Sequence, residues 1–545
     1  MPFADHLIIV PVLLPLVTGA FLLLFDERRH GFKAAVSLVS TILLATVAII
    51  LLSRANASEA STSVYLLGNW PAPFGIVLVL DRLAALMLVL AGVLALAALV
   101  FSMARWHRAG PHFHTLFQFL LMGVDGAFLT GDLFNLFVFF EILLAASYSL
   151  VLHGANPFRV RAGMHYIVVN LAASSLFLIG VALVYGVTGT LNMADLAVRI
   201  AAVPADRQAL LEAGGALLGV AFLVKAGMWP LSFWLPSTYM AAAAPVAAIF
   251  AILSKVGVYI ILRLSLLMFG ADAGAMAGFG DEWLLAGGMA TIAFGATGIL
   301  ASQAMGRLAG YSILVSSGTL LAAIGMADVA VTSGALYYLV SSTLTIAAFF
   351  LLIELVERAR DPAATVLSVT MDAYGDEEEE GEPEEEIGIA IPGTLATLGI
   401  CFGVCGLLLA GLPPLSGFIG KFALIRALFD ITPTDAGIPA MSWVFTALLL
   451  MGGFATLLAM MREGIRTFWT PLEVIVPRVR FIEIAPVAAL LLLTAALSVA
   501  GGPVMRYMDA TARALHAPDA YRHSVLSASA RMGAMRETDA SGERP

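Results

Sequence analysis

Fourteen separate apolar runs, each long enough to cross a bilayer as a helix, constrain the fold of this chain more than any other feature. They fall near residues 7–25, 34–52, 76–103, 113–130, 133–152, 162–186 and 209–229, then 243–268, 283–303, 308–328, 330–357, 391–429, 440–461 and 481–505. Their length and lack of alternation predict α-helices rather than barrel strands, because hydrocarbon offers no water to an unpaired N–H or C=O. Composition agrees: of 545 residues, 60% are hydrophobic and 12% charged, which excludes a soluble globular protein. The expected fold is all-α and polytopic, with about 14 transmembrane helices in one membrane domain over 1–506 and repeat-like halves near 113–268 and 283–461. The N-terminus, MPFADHLIIV, lacks a positive n-region and a cleavage motif, so the first run reads as an uncleaved span.

The net charge of −9 is local in origin. Residues 376–386 hold nine acids, and the other 29 acidic and 29 basic residues cancel. Residues 362–390 read as a disordered acidic loop, and 507–545 as a C-terminal tail. Nothing in this balance calls for a nucleic-acid partner. Connections after odd-numbered runs carry fourteen Lys and Arg residues and those after even-numbered runs four. That bias places the odd loops and the acidic loop in the cytoplasm and both termini outside a plasma membrane. Cys401 and Cys405, four apart in one apolar run, read as small hydrophobes, so no disulfide, metal site or cofactor is expected.

Three of only four lysines lie inside apolar runs: Lys225, Lys255 and Lys421. A charged residue at a helix centre costs about 2.5–3.5 kcal/mol, so three lysines and a carboxylate cost roughly 10 kcal/mol, which packing alone does not explain. Glu141, in GDLFNLFVFFEILLAASY, is the best carboxylate partner and is read as pairing with Lys225. Asp132 lies nine residues earlier, about 13.5 Å along the helix, and belongs nearer the aqueous mouth. Asp125 is deeper and ambiguous, while Asp81 and Arg82 read as local structure at a span end. A buried ammonium can release its proton and a guanidinium cannot, so the series Glu141, Lys225, Lys255, Lys421 reads as a line of exchangeable charges. Tyr239, Ser254 and Ser416 are placed to fill gaps in it.

Prolines break two of these helices, the seventh and the twelfth. Pro230 follows Lys225, and Pro413 and Pro414 precede Lys421. Proline frees a carbonyl, so non-helical backbone at membrane depth must face protein or water. Interrupted helices at corresponding positions of two halves mark the ion pathway of inverted-repeat transporters.

At these residues the sequence resembles the antiporter-like membrane subunits of respiratory complex I, membrane-bound hydrogenases and multisubunit Mrp cation/proton antiporters. The run TGDLFNLFVFFEILLAASY at 130–148 is similar above all to the D subunits of the Mrp branch. KAGMWPLSFWLP at 225–236, SKVGVYIILR at 254–263 and GLPPLSGFIGKF at 411–422 continue the likeness. The resemblance implies that Glu141 and Lys225 correspond to the family's ion pair on helices five and seven, Lys255 to its eighth-helix lysine and Lys421 to its twelfth-helix group. Two departures stand out. Ser237, Thr238 and Tyr239 replace the acid and histidine of the complex I pattern, and the eleventh run offers only Tyr338, Ser342 and Ile346 where relatives carry titratable groups. Transfer there would need hydroxyls or water.

The expected function is that of a secondary transporter subunit, not an enzyme. Protons would pass along the buried Glu and Lys residues in exchange for Na+ or another monovalent cation, within a complex of other membrane subunits embedded in lipid. Two alternatives remain open at this point: a redox-driven pump subunit, whose redox centres would sit in partner chains, and a non-transporting scaffold.

Overall fold

The computed structural model describes residues 5–57, 62–154, 156–358, 392–430, 439–468 and 479–528. The acidic loop at 362–390 and the end of the tail lie outside these. Twelve helices among the described residues are long and apolar enough to cross a membrane, and two shorter apolar helices complete the fourteen expected positions.

The first half comprises α1 (Val10–Leu23), α2 (His30–Ala57), α3 (Arg82–Ser102), α4 (Phe113–Leu129), α5 (Leu133–Val151), α6 (Pro157–Thr188), a short α7 (Met193–Ile200), α8 (Ala205–Ala226), α9 (Leu235–Ala241) and α10 (Ala244–Met268). The second comprises α11 (Asp281–Ala301), α12 (Met305–Gly325), α13 (Val329–Arg358), α14 (Pro392–Ala410), α15 (Ser416–Asp430), α16 (Ala440–Phe468) and α17 (Phe481–Val499). Two further helices, α18 (Gly501–His516) and α19 (Asp519–Leu526), follow.

Local chemistry fixes several boundaries. The Asp81 carboxylate accepts from the Ala84 amide to start α3, and Asp132 does the same from Asn135 to start α5. Asn156 caps α6, whose first residue is Pro157, and Gly189 ends it in the left-handed region. Helices α10, α12 and α13 are apolar all round and buried nearly throughout, so they form the centre of the bundle. Helices α2 and α6 leave most of their apolar side chains on its outside, as a lipid-facing ring does.

Two features were not readable as apolar runs. Strands β1 (Ser63–Leu66) and β2 (Val77–Leu80) pair antiparallel, Ser63 opposite Leu80, and Leu78 bridges on to Thr130. The sequence merges β2 into the run beginning at 76, because a buried strand of four residues looks like the start of a span. Residues 507–526, read as tail, continue α18 and form α19. Met508, Ala512 and Leu515 give α18 one buried stripe, while its other faces are too polar to register as a span.

Connections after odd-numbered spans gather at one end of the bundle. There Glu354 accepts from Arg105 at 2.5 Å, from the Trp106 indole at 2.7 Å and from Arg358 at 2.5 Å, and Arg358 reaches on to Glu483 at 2.7 Å. Arg159 donates to the carbonyls of Ala241, His153 and Gly154 and lies over the Trp106 ring. Burial, with Arg108 and neighbouring histidines, pushes His107 down to about 4, so it is neutral at pH 7.

Glu27, in the connection from α1 to α2, pairs with Lys33 at 2.5 Å and His112 at 2.9 Å. Burial pushes its carboxyl up, but hydrogen bonds from Lys33 and the His112 amide, with their charges, outweigh this and hold it below 4.5. A lowered carboxyl stabilises the fold above its unfolded value and loses that contribution as pH falls through the folded one. Thermal unfolding of the wild type in detergent is therefore expected to weaken below pH 4.5 by an increment that Glu27→Gln lacks. Identical acid profiles for the two proteins would refute the assignment.

Candidate functional site

Both helix breaks fall where the prolines put them, and they share a signature. Helix α8 ends at Ala226 and α14 at Ala410; the next residues, Gly227 and Gly411, have φ of +76° and +79°, a conformation that strains other residues. A cis prolyl bond follows each, Trp229–Pro230 and Pro413–Pro414. The amide of Trp229, freed by the first break, donates to the Thr291 hydroxyl on α11 at 2.9 Å.

Lys225 stands in the last turn of α8. Its ammonium donates to the Asn170 side-chain oxygen on α6 at 2.6 Å and lies 5.7 Å from the Phe140 ring centre. The pairing with Glu141 expected from sequence is not a contact. Glu141 acts on Lys225 through space, and its Oε1 is buried without a hydrogen-bond partner. A small cavity lined by Lys225, Asn170, Tyr166, Tyr239 and Ser254 lies beside the contact of α8 with α10. Tyr239 is pinned at its far wall, donating to the Phe250 carbonyl at 2.7 Å.

Ser254 and Lys255 are adjacent on α10 and serve opposite sides. Ser254 faces the Lys225 cavity, whereas the Lys255 ammonium, 1% exposed, donates to Ser316 at 2.8 Å and Ser317 at 3.3 Å on α12. Ser316 in turn bonds Ser342 on α13 at 2.9 Å. Beyond them lies a largely apolar cavity on which Ser316, Tyr338, Ser342 and Thr456 place hydroxyls among Val315, Ile346 and Leu409, with room for about one water. On its far side Lys421 donates to the carbonyls of Leu409 at 3.2 Å and Ala410 at 2.8 Å, the end of α14 that the second break leaves without intrahelical donors. Ser416 bonds Ser341 at 2.8 Å and fastens the start of α15 to α13.

The structure thus puts serine hydroxyls and one cavity beside Lys255, with Leu409, whose carbonyl Lys421 bonds, on the cavity wall, and it places Lys225 on the neighbouring helix α8. It does not bring Asp132 or Asp125 into this line. Asp132 is the α5 cap; Asp125 is buried on α4, its Oδ1 without a partner. Asn170, Ser316 and Ser317 escaped the sequence reading. For Asn170 a signal existed, an amide in the middle of the run YIVVNLAASS. Ser316 and Ser317 gave none, since hydroxyls in spans commonly bond their own helix.

Residues 130–446 match a family described as NADH:quinone oxidoreductase/Mrp antiporter, TM. The D subunit of a probable K(+)/H(+) antiporter from Rhizobium meliloti is 62% identical over 96% of this chain and 98% of its own length. The D subunit of the Na(+)/H(+) antiporter from Alkalihalophilus pseudofirmus is 34% identical over 96% and 99%. A chain in the structure of the Mrp complex from Dietzia sp. DQ12-45-1b superposes with a TM-score of 0.80 at 26% identity, covering 96% of this chain and all of that one. This chain therefore belongs to the NADH:quinone oxidoreductase/Mrp antiporter membrane family, among its antiporter D subunits.

Proposed function

We propose that this chain carries protons across the plasma membrane within a multisubunit antiporter that exchanges them for a monovalent cation, along Glu141, Lys225, Lys255 and Lys421. One observation carries the reading. Among the described residues, each of the three ammonium groups touches only neutral oxygens, from Asn170, from Ser316 and Ser317, and from Leu409 and Ala410. With no carboxylate in contact to lock it in the charged form, each is free to pass its proton on and recover it. Glu141, close without touching, biases the charge on Lys225. A charge crossing 100 mV is worth about 2.3 kcal/mol, comparable with the cost of burying one lysine, so the membrane field competes with these local bonds.

Other membrane subunits complete the complex, and the loop bias puts both termini outside. The R. meliloti relative is named for K+ and the A. pseudofirmus relative for Na+, so both ions belong in the assay. In everted vesicles holding the whole complex, addition of K+ or Na+ is expected to discharge the pH gradient. Glu141→Ala and Lys225→Ala are expected to suppress that response with the complex still assembled. Undiminished exchange in both would overturn the reading, and copurifying redox subunits would replace it with a pump.

Asn170→Leu supplies a sharper test of the first lysine. It removes the acceptor of the Lys225 ammonium and costs about 1–3 kcal/mol in the charged state. Exchange is expected to slow and its pH profile to shift, with Asn170→Asp restoring an acceptor. An unchanged profile in Asn170→Leu would show that the contact is incidental.

A further inference from the structure

Lys225 lies in a helix end that is held from outside. Gly227 and Met228 close α8 in a Schellman turn, their amides donating back to the carbonyls of Val224 at 3.3 Å and Leu223 at 3.0 Å. The next amide, that of Trp229, donates out to α11, and Pro230 after it has no N–H to give. At the second break the lysine itself secures the helix end, through the carbonyls of Leu409 and Ala410. At the first break the ammonium bonds Asn170 on α6 instead, so the elbow takes its anchor from another helix.

That anchor is Thr291 on α11, 0% exposed. Its hydroxyl donates to the Gly287 carbonyl at 2.6 Å and so keeps a lone pair for the Trp229 amide at 2.9 Å. One turn earlier on α11, Gly287 gives Met228 its seat, since a Cβ there would lie 2.6 Å from the Met228 sulfur. On α12, Gly318 makes room for Thr291, because a Cβ at 318 would lie 2.9 Å from the Thr291 Cβ. Gly318 directly follows Ser316 and Ser317, the partners of Lys255. From the other side Gly257, two residues after Lys255, lets the end of α8 close in on α10: a Cβ there would lie 2.8 Å from the Ala226 nitrogen. Thr291 is therefore fixed by close packing between the elbow beyond Lys225 and the stretch of α12 that meets Lys255.

We propose that Thr291 is a positioning residue for Lys225, setting through the Trp229 amide where the ammonium stands relative to Asn170 and the cavity they share. The linkage is continuous. Thr291 holds Trp229, the adjoining Met228 is bonded to Leu223, and Lys225 stands in the turn that Leu223 begins. Only a side chain that donates and accepts at once satisfies both the Gly287 carbonyl and the Trp229 amide. Without it the amide has no acceptor, the end of α8 loses its fixed place, and the ammonium spends less time at Asn170. The inference rests on the reading of Lys225 as a proton carrier and extends that site to α11.

The test uses the complete complex in everted vesicles, with initial exchange rates measured across a range of pH and normalised to assembled complex. Thr291→Val, which keeps the shape and removes the hydroxyl, is expected to slow exchange by about fivefold or more and to shift its pH profile. Thr291→Ser, which restores the hydroxyl, is expected to recover the wild-type rate and profile. In an Asn170→Leu background Thr291→Val is expected to add less than its own factor, because both changes misplace one ammonium. A wild-type pH profile in Thr291→Val, no recovery in Thr291→Ser, or losses that multiply in the double variant would each overturn the proposal. Lys225→Ala separates the two readings. Full exchange in Lys225→Ala defeats the proton-carrying role itself, whereas an inactive Lys225→Ala beside a Thr291→Val of unchanged rate and profile defeats only the positioning.

Discussion

Lys255→Met is expected to reduce proton-coupled exchange by about 10²-fold or more, the scale on which a positioned proton donor and acceptor contributes. The residue is 1% exposed and bonded to Ser316 and Ser317. Methionine fills nearly the same volume, and Ser316 retains Ser342 as a partner, so loss of exchange would reflect loss of the ammonium. Lys255→Arg is expected to be nearly as inactive, because a guanidinium keeps its charge but does not give up the proton. Initial rates in vesicles, normalised to assembled complex, decide the matter. Near-normal rates in Lys255→Arg would mean that position 255 needs only a fixed charge, and the relay would be wrong.

The second large effect concerns stability. Glu354 receives Arg105, Trp106 and Arg358, and Arg358 also holds Glu483, so one carboxylate ties the connection before α4, the end of α13 and the start of α17. Glu354 and Arg358 are partly buried and Arg105 is exposed, so removing the carboxylate strands Arg358 and the Trp106 N–H at a cost below the roughly 3–5 kcal/mol of a fully buried pair. Glu354→Ala is therefore expected to lower the unfolding temperature in detergent markedly and to reduce assembled complex, and Glu354→Gln to do so less. An unfolding temperature equal to that of the wild type in Glu354→Ala would show that the network is dispensable.

How much of this was readable from residues alone follows from what each pattern encodes. Apolar runs report burial in lipid, and all fourteen appear as helices, because span length and backbone satisfaction leave the chain no other choice. The breaks were readable because Pro230, Pro413 and Pro414 cannot continue a helix. What a run cannot report is which neighbour a side chain meets. Glu141 and Lys225 were expected to touch, yet Lys225 bonds Asn170 on α6 instead, a fact of helix rotation that no spacing within α5 or α8 contains. The gap expected at Tyr338, Ser342 and Ile346 is filled by Ser316 from another helix and by a cavity that those three residues line. The hairpin and the C-terminal helices escaped because a four-residue strand and a half-polar helix carry weak signals against so apolar a background.

The fastening of Lys421 to the two terminal carbonyls of α14 has a consequence for motion. In the proposed role of proton carrier, the ammonium uses the same three hydrogens to splint a joint in the backbone. Discharge leaves a neutral amine with fewer donors, the carbonyls lose part of their clasp, and the two halves of the interrupted helix are freed to swing. Under the proposed relay, proton passage and bending at this elbow are one degree of freedom.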